Sequence, residues 1–128
     1  MAGRILVIDD EVAYVEMVQT ALDFFGYETR VETTLNAGCD RARQFLPDLI
    51  LLDNHFPEGH GDEIIPFLKT ACPQTPIVMI TANAHDVHVA SARELGINAV
   101  VTKPLGLTEL HELARHYCKS ISEEIVKS

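Results

Sequence analysis

The chain has 128 residues, of which 47% are hydrophobic, and carries a formal net charge of −9 at pH 7. This length predicts a single domain built around one core. The acidic balance argues against direct nucleic-acid binding, which depends on Lys and Arg neutralising phosphates. No apolar run is long enough to cross a bilayer, and no signal-peptide pattern is found, so no membrane association is expected.

Five predicted strands alternate with five predicted helices along the chain. Strands are predicted at residues 4–8, 27–31, 48–52, 76–80 and 98–102. Most are continuous aliphatic runs, typical of parallel strands that are buried on both faces, whereas the second alternates as an edge strand does. Helices are predicted from apolar spacing at residues 12–25, 34–46, 62–71, 85–95 and 107–120. Five βα units predict a doubly wound sheet in a three-layer sandwich.

Each long predicted helix has one apolar stripe that we expect to face the core. The members of these stripes are Val15, Val18, Leu22 and Phe25, then Leu35, Cys39, Ala42, Phe45 and Leu46, and finally Leu107, Leu110, Leu113, Ala114 and Tyr117. Pro66 fits the third helix only within its first turn, whose N–H groups have no helical partner. The three cysteines lack a C-x-x-C spacing, which predicts reduced thiols in a cytoplasmic protein.

Chemically active side chains follow four of the predicted strands. Asp9 and Asp10 come after ILVI, Asp53 after LILL, Thr81 after IVMI and Lys103 after AVVT. Open α/β sheets bind ligands outside the carboxyl ends of their strands, so we expect these groups to converge. Three carboxylates at one place repel one another unless a cation lies among them. Mg²⁺ is suited to that place, because it accepts one or two protein carboxylates together with a phosphate oxygen.

This set of groups predicts phosphoryl transfer. Asp53 is the candidate nucleophile, since a carboxylate accepts a phosphoryl group as an acyl phosphate. Lys103 would stabilise charge on the transferring group, and Thr81 would donate a hydrogen bond to one of its oxygens. Little else is required of a protein in this reaction beyond positioning and charge stabilisation.

Four segments also resemble a known family. They are ILVIDDE at 5–11, LILLDNHFPEGHG at 49–61, IVMITA at 77–82 and VTKP at 101–104. In this order and spacing the chain resembles the receiver domain of two-component response regulators, from Arg4 to about Ser120. Residues 1–128 are then one receiver domain, with 121–128 as a tail or the start of a linker. The resemblance implies a flavodoxin-like fold with strand order 2-1-3-4-5.

The resemblance also implies roles for individual residues. Asp10 and Asp53 would bind the metal directly, Asp9 would act through the water shell of the metal, and the backbone carbonyl of His55 would complete the protein ligands. The peptide bond before Pro104 would be cis.

The implied function is that of a phosphorelay receiver. Asp53 would take a phosphoryl group from a sensor histidine kinase or a histidine phosphotransfer protein. The domain would catalyse only its own phosphorylation and slow dephosphorylation. The surface of the fourth helix, fifth strand and fifth helix would then act on an effector domain or protein, with a homodimer as one arrangement. A single-domain regulator and the N-terminal receiver of a longer regulator are both compatible with this sequence.

Two positions depart from the family pattern. Val100 stands where an aromatic residue is usual, so the usual readout is either blunted or carried differently. The switch is then expected to depend on Thr81, which would draw in the loop from Ala82 to Asp86, and on how the fourth helix responds. The segment Ile97-Asn98-Ala99 lacks the acidic pair typical of regulators that drive winged-helix domains, which argues against their type of dimer.

Two other classes of protein compete with this interpretation. A haloacid-dehalogenase-like phosphatase with Asp9 as nucleophile, that is, an aspartyl-phosphate hydrolase, needs a second aspartate two residues later, where Glu11 stands. A flavodoxin-like binding module without phosphorylation needs a phosphate-binding loop after the first strand, where this chain has acids.

The histidines give weaker signals. His111 opens an H-E-x-x-R segment, not the H-E-x-x-H of a zinc protease helix. His85 and His88 are expected on a solvated face. His55 and His60 flank the loop after Asp53, where they would tune hydrolysis or lie in water, and we favour water for His60.

Overall fold

The computed structural model describes residues 3–118 and contains a five-stranded parallel sheet. Its strands are β1 (Arg4–Ile8), β2 (Glu28–Glu32), β3 (Leu49–Asp53), β4 (Ile77–Thr81) and β5 (Ala99–Thr102). They pair in the order β2-β1-β3-β4-β5, with every pair parallel. The predicted flavodoxin-like topology is therefore confirmed, including the edge position of β2.

Five helices cover the two faces of the sheet. They are α1 (Val12–Phe24), α2 (Leu35–Phe45), α3 (Ile65–Ala71), α4 (Val87–Glu94) and α5 (Leu107–Tyr117). Alternate strand residues point to opposite faces. Leu6, Ile50 and Met79 pack with α2, α3 and α4, whereas Val7 and Leu51 pack with α1 and α5. The three predicted layers are present, with a separate apolar core on each side of the sheet.

The segment after β3 differs from the prediction. The third helix, predicted over 62–71, begins as a 3₁₀ turn at Gly61–Ile64 and becomes α-helical only from Ile65. A side chain at Gly61 would collide with the backbone carbonyl of Asp53, so the turn lies directly against the end of β3. Pro66 occupies the first turn of α3, as expected. The loop also contains a small antiparallel hairpin, His55–Phe56 with Gly59–His60, which was not predicted.

Two predicted core residues are exposed. Leu46 is 58% exposed because it ends α2 in a left-handed conformation, with φ of 51°, and its side chain leaves the helical stripe. Leu107 is 57% exposed because it is the first residue of α5 and nothing in residues 3–118 covers it. Residues 119 and 120 of the predicted last helix, and the predicted tail, lie outside the described residues.

Two further predictions concern the covalent state and membranes. Among the described residues, Cys39, Cys72 and Cys118 form no disulfide, in agreement with the predicted thiols. In the same range, every helix is too short or too polar to span a bilayer.

Candidate functional site

Three carboxylates meet at the carboxyl edge of the sheet. Asp53 is the last residue of β3, and Asp9 and Asp10 follow the neighbouring strand β1. Because β1 and β3 are parallel neighbours, their ends lie side by side, and one oxygen from each carboxylate falls within 4.8 Å of the others. Asp9 and Asp53 are buried, and Asp10 is half-buried. We call Asp9, Asp10, Asp53 and Lys103 the acidic pocket.

Lys103 supplies a positive charge to this pocket. Its ammonium lies 2.9 Å from a carboxylate oxygen of Asp9, 2.9 Å from one of Glu11 and 3.6 Å from one of Asp53. Its backbone N–H donates to the carbonyl of Thr81 at 2.8 Å, which ties the end of β5 to the end of β4. The peptide bond between Lys103 and Pro104 is cis, as the resemblance implied.

Burial and crowding shift the protonation equilibria of the pocket. Burial and the neighbouring Asp9 carboxylate raise the pKa of Asp53 to about 6, although Lys103 and the N–H of Asn54 act in the opposite direction. Burial works to lower the pKa of Lys103, but its hydrogen bonds to Asp9 and Glu11 prevail and raise that pKa. The single positive charge of Lys103 does not neutralise the negative charges of Asp9, Asp10 and Asp53. The hard oxygen donors therefore fit a divalent cation such as Mg²⁺.

An open cleft of about 310 Å³ leads to these groups, with Asp53 and Lys103 in its wall. Thr81 ends β4, one residue beyond Ile80, which pairs with Asp53 in the sheet. The Thr81 hydroxyl accepts from the backbone N–H of Asn83 at 3.2 Å and lies 3.4 Å from the Asn83 carbonyl. Thr81 is thus next to the pocket, with its hydroxyl engaged by the loop that leads to α4.

His55 lines the cleft, whereas Val100 lies within β5, three residues before Lys103. Val100 is half-buried in β5, where it pairs with Met79 and packs against the core. His55 has an exposed ring whose Nε2 lies 3.2 Å from a carboxylate oxygen of Asp86, at the start of α4.

Two residues of the pocket wall were missed by the sequence reasoning. Glu11 was given no role in the site and was noted as the residue that stands where a phosphatase motif needs aspartate, yet its carboxylate binds Lys103. Tyr14 was not singled out, and its ring centre lies 4.6 Å from the Lys103 ammonium. Their i, i+3 spacing at the start of α1 places them on one helix face next to the end of β1, and this is the signal that identifies them.

Two histidines are less exposed to solvent than was predicted. The rings of His60 and His88 stack at 3.5 Å between centres, and each side chain is only 34% exposed. The His88 Nδ1 lies 3.3 Å from buried Asp62. The unpredicted hairpin brings His60 toward α4, so that the ring of His88 covers part of its ring. We call His60, His88 and Asp62 the histidine cluster. His85 is exposed, as expected.

The ring of His111 stacks on that of Phe25, with 4.0 Å between the ring centres. Within residues 3–118, one group of three His, Cys, Asp or Glu side chains is close enough to share a metal ion. It consists of Asp9, Asp10 and Asp53.

Known proteins share both this sequence pattern and this fold. The family model described as response regulator receiver domain matches residues 5–115. The phosphate regulon transcriptional regulatory protein PhoB of Escherichia coli is 32% identical over 133 residues, which cover 99% of this chain and 58% of PhoB. The chain spans about half the length of the curated relatives it matches, 47% and 58% for the first two.

Two solved structures show the same architecture. A CheY-like receiver domain protein from Methanospirillum hungatei superimposes with a TM-score of 0.87 at 23% identity, with full coverage of both chains. The receiver domain of a sensor histidine kinase from Pseudomonas aeruginosa, solved with magnesium in its active site cleft, has a TM-score of 0.82 at 21% identity and covers 91% of this chain and 98% of its own. With the family match over most of its length, this chain belongs to the response regulator receiver domain family.

Proposed function

We propose that Asp53 is the phosphoacceptor of this receiver domain and that it takes its phosphoryl group from a phosphohistidine. The observation that carries the proposal is the convergence of Asp53 with Asp9, Asp10 and Lys103 at the mouth of an open cleft. Asp53 is the strand-end carboxylate among them, and the ammonium lies 3.6 Å from its oxygen.

The proposed reaction is an in-line displacement at phosphorus. An oxygen of Asp53 attacks, a P–O bond forms, and the P–N bond to the donor imidazole breaks. The imidazole nitrogen leaves with that electron pair and takes a proton from water. Lys103 stabilises the negative charge of the transferred group. The chain would catalyse this step and the slow hydrolysis of its own acyl phosphate, and no reaction on another substrate.

Magnesium is the proposed cofactor. Asp10, Asp53 and the backbone carbonyl of His55 would hold it directly, and Asp9 would hold it through water. When bound, it would neutralise charge on the carboxylates and on a phosphoryl oxygen. The donor set of this chain supports the proposal, as does the magnesium in the related kinase receiver domain.

We infer that the switch runs through Thr81. A ligand drives a conformational change only by contacts that differ between the two states. The Thr81 hydroxyl would exchange its contacts with the Asn83 backbone for a phosphoryl oxygen, drawing in the loop before α4. Val100 has no ring to rotate, so the response would appear in the backbone of α4, β5 and α5.

Amide hydrogen exchange tests this switch. Beryllofluoride should change exchange across residues 82–102 in the parent protein, and Thr81→Ala should suppress that change while still accepting the phosphoryl group. An undiminished response in Thr81→Ala would contradict the role of Thr81.

The proposed partners are a sensor histidine kinase or a histidine phosphotransfer protein upstream and an effector domain or protein downstream. A homodimer, a cytoplasmic location and the absence of direct nucleic-acid contact by this domain remain predictions. The relatives named as transcriptional regulators extend beyond the length matched here, so the output of the whole protein is itself open to experiment.

Intact mass after treatment with acetyl phosphate and Mg²⁺ tests the acceptor. The parent should gain one phosphoryl group, and Asp53→Asn should gain none. Asp62→Asn is the matched control, since it changes another buried aspartate of the same region and should be labelled like the parent. Equal labelling of Asp53→Asn would refute the assignment.

A further inference from the structure

The ammonium of Lys103 is surrounded by three carboxylates and one aromatic ring. Two of its three N–H donors are taken by the carboxylates of Asp9 and Glu11, each at 2.9 Å. The oxygen of Asp53 lies at 3.6 Å, within ion-pair range but beyond a normal hydrogen bond. One N–H therefore stays available on the side of the phosphoacceptor.

The ring of Tyr14 lies against the same ammonium. Its centre is 4.6 Å from Nζ, within the distance at which an aromatic face attracts a cation. The Tyr14 hydroxyl is buried without a hydrogen-bond partner among the described residues, so no polar contact of the hydroxyl explains why a tyrosine ring is held here. Burial also raises the pKa of Tyr14, which keeps the ring neutral.

We propose that Tyr14 is a positioning residue for phosphoryl transfer, whose ring holds the Lys103 ammonium beside Asp53. The attraction of a ring for a cation brings no further carboxylate to the ammonium and requires no directed hydrogen bond, so an N–H donor can still turn to a phosphoryl oxygen. The inference rests on the proposed role of Asp53 and adds a residue to it.

Glu11 does not provide the same constraint. Its side chain is 63% exposed, so water and salt screen its attraction for Lys103, and it occupies an N–H donor. Tyr14, by contrast, is half-buried, and the hydroxyl at the far end of its ring is fully buried. Attraction to the ring is therefore less screened than the ion pair with Glu11.

The test compares two substitutions of Tyr14 in the full chain. Tyr14→Phe keeps the ring and removes the hydroxyl, whereas Tyr14→Leu removes the ring and retains an apolar side chain. Phe25→Leu is the matched control, because it removes a ring beyond the other end of α1, where Phe25 stacks on His111. Melting temperatures of all variants separate loss of fold from loss of positioning.

The first readout is the rate of phosphorylation by acetyl phosphate with Mg²⁺. Tyr14→Phe should react like the parent, and Tyr14→Leu should be slower by about three- to thirtyfold, the range expected for losing one cation–π contact. Phe25→Leu should keep the parent rate. In a Lys103→Met background, Tyr14→Leu should cause no further loss, because the ring acts through the ammonium.

The second readout does not require phosphorylation. The Lys103 ε-protons should show a ring-current shift by NMR in the parent and in Tyr14→Phe, and should lose it in Tyr14→Leu. A parent without that shift, or a folded Tyr14→Leu that reacts at the parent rate, would overturn the role of Tyr14 alone. A parent that shows the shift yet accepts no phosphoryl group would overturn the proposed function, and the positioning role with it.

Discussion

The acidic pocket and the histidine cluster stabilise buried carboxylates in different ways. In the pocket, Asp9 is paired with Lys103, a permanent cation at neutral pH. In the cluster, Asp62 is paired with the imidazole of His88. The carboxylate of the pocket therefore faces an ammonium, whereas that of the cluster faces an imidazole ring that is itself stacked on a second ring.

The two regions also differ in their supports. The pocket residues follow strands of the central sheet, where pairing with neighbouring strands holds the backbone. The cluster residues belong to a hairpin with strands of two residues each, a 3₁₀ turn and the first turn of α4. A rigid edge suits a site that must position a transferring group, and the shorter elements suit a region that moves with α4.

Magnesium should produce the largest contrast between the two regions. At 100 times its Kd, a ligand that binds only the folded state adds about 2.7 kcal/mol to the free energy of unfolding. We expect this gain in the parent and in Asp62→Asn, and its loss in Asp10→Asn, because Asp10 belongs to the pocket alone. Thermal melting with Mg²⁺ and with EDTA measures the gain. Equal stabilisation of Asp10→Asn would place the metal elsewhere.

Removing one member of the Asp62–His88 pair should have the next largest effect. His88→Leu leaves the buried Asp62 carboxylate without its imidazole, which should lower the free energy of unfolding by about 1–3 kcal/mol. Replacing both residues with Leu should recover most of this loss, since replacing both partners of a polar contact with apolar groups leaves no buried polar group unpaired. Urea unfolding of the single and double variants measures both values. A double variant less stable than His88→Leu would contradict the pairing.

The pH dependence of the metal-free pocket should be smaller. Because folding raises the pKa of Asp53 from 3.8 to about 6, the folded state binds more protons than the unfolded state between these values. The stability contributed by Asp53 should therefore fall as pH rises from 4 to 7, by about 1–2 kcal/mol after allowing for solvent screening.

Asp53→Asn is the control for this pH dependence, because it has no titrating group at that position. The difference in unfolding free energy between parent and variant in EDTA, measured from pH 4.5 to 7, isolates the contribution of Asp53. Saturating Mg²⁺ should remove most of the slope in the parent. A difference that does not vary with pH would show that Asp53 titrates normally.

The sequence alone determined the sheet and the residues at its carboxyl edge. Continuous aliphatic runs indicate strands that are buried on both faces. A residue that directly follows such a run lies at the carboxyl end of the strand. For this reason Asp9, Asp10, Asp53 and Lys103 were identified before their distances were known. Hydrophobic periodicity is a local signal, and it was sufficient for the sheet and for these four residues.

Only the tertiary structure decided the contacts between distant loops and side chains. The contact of Lys103 with Tyr14 joins the end of β5 to α1, and the stack of His60 on His88 joins the hairpin to α4. Leu46 and Leu107 were wrongly predicted to lie in the core. Hydrophobic periodicity does not reveal a left-handed helix end or a first turn that no other element covers. These features depend on which surfaces pack together, and that is set by the whole fold.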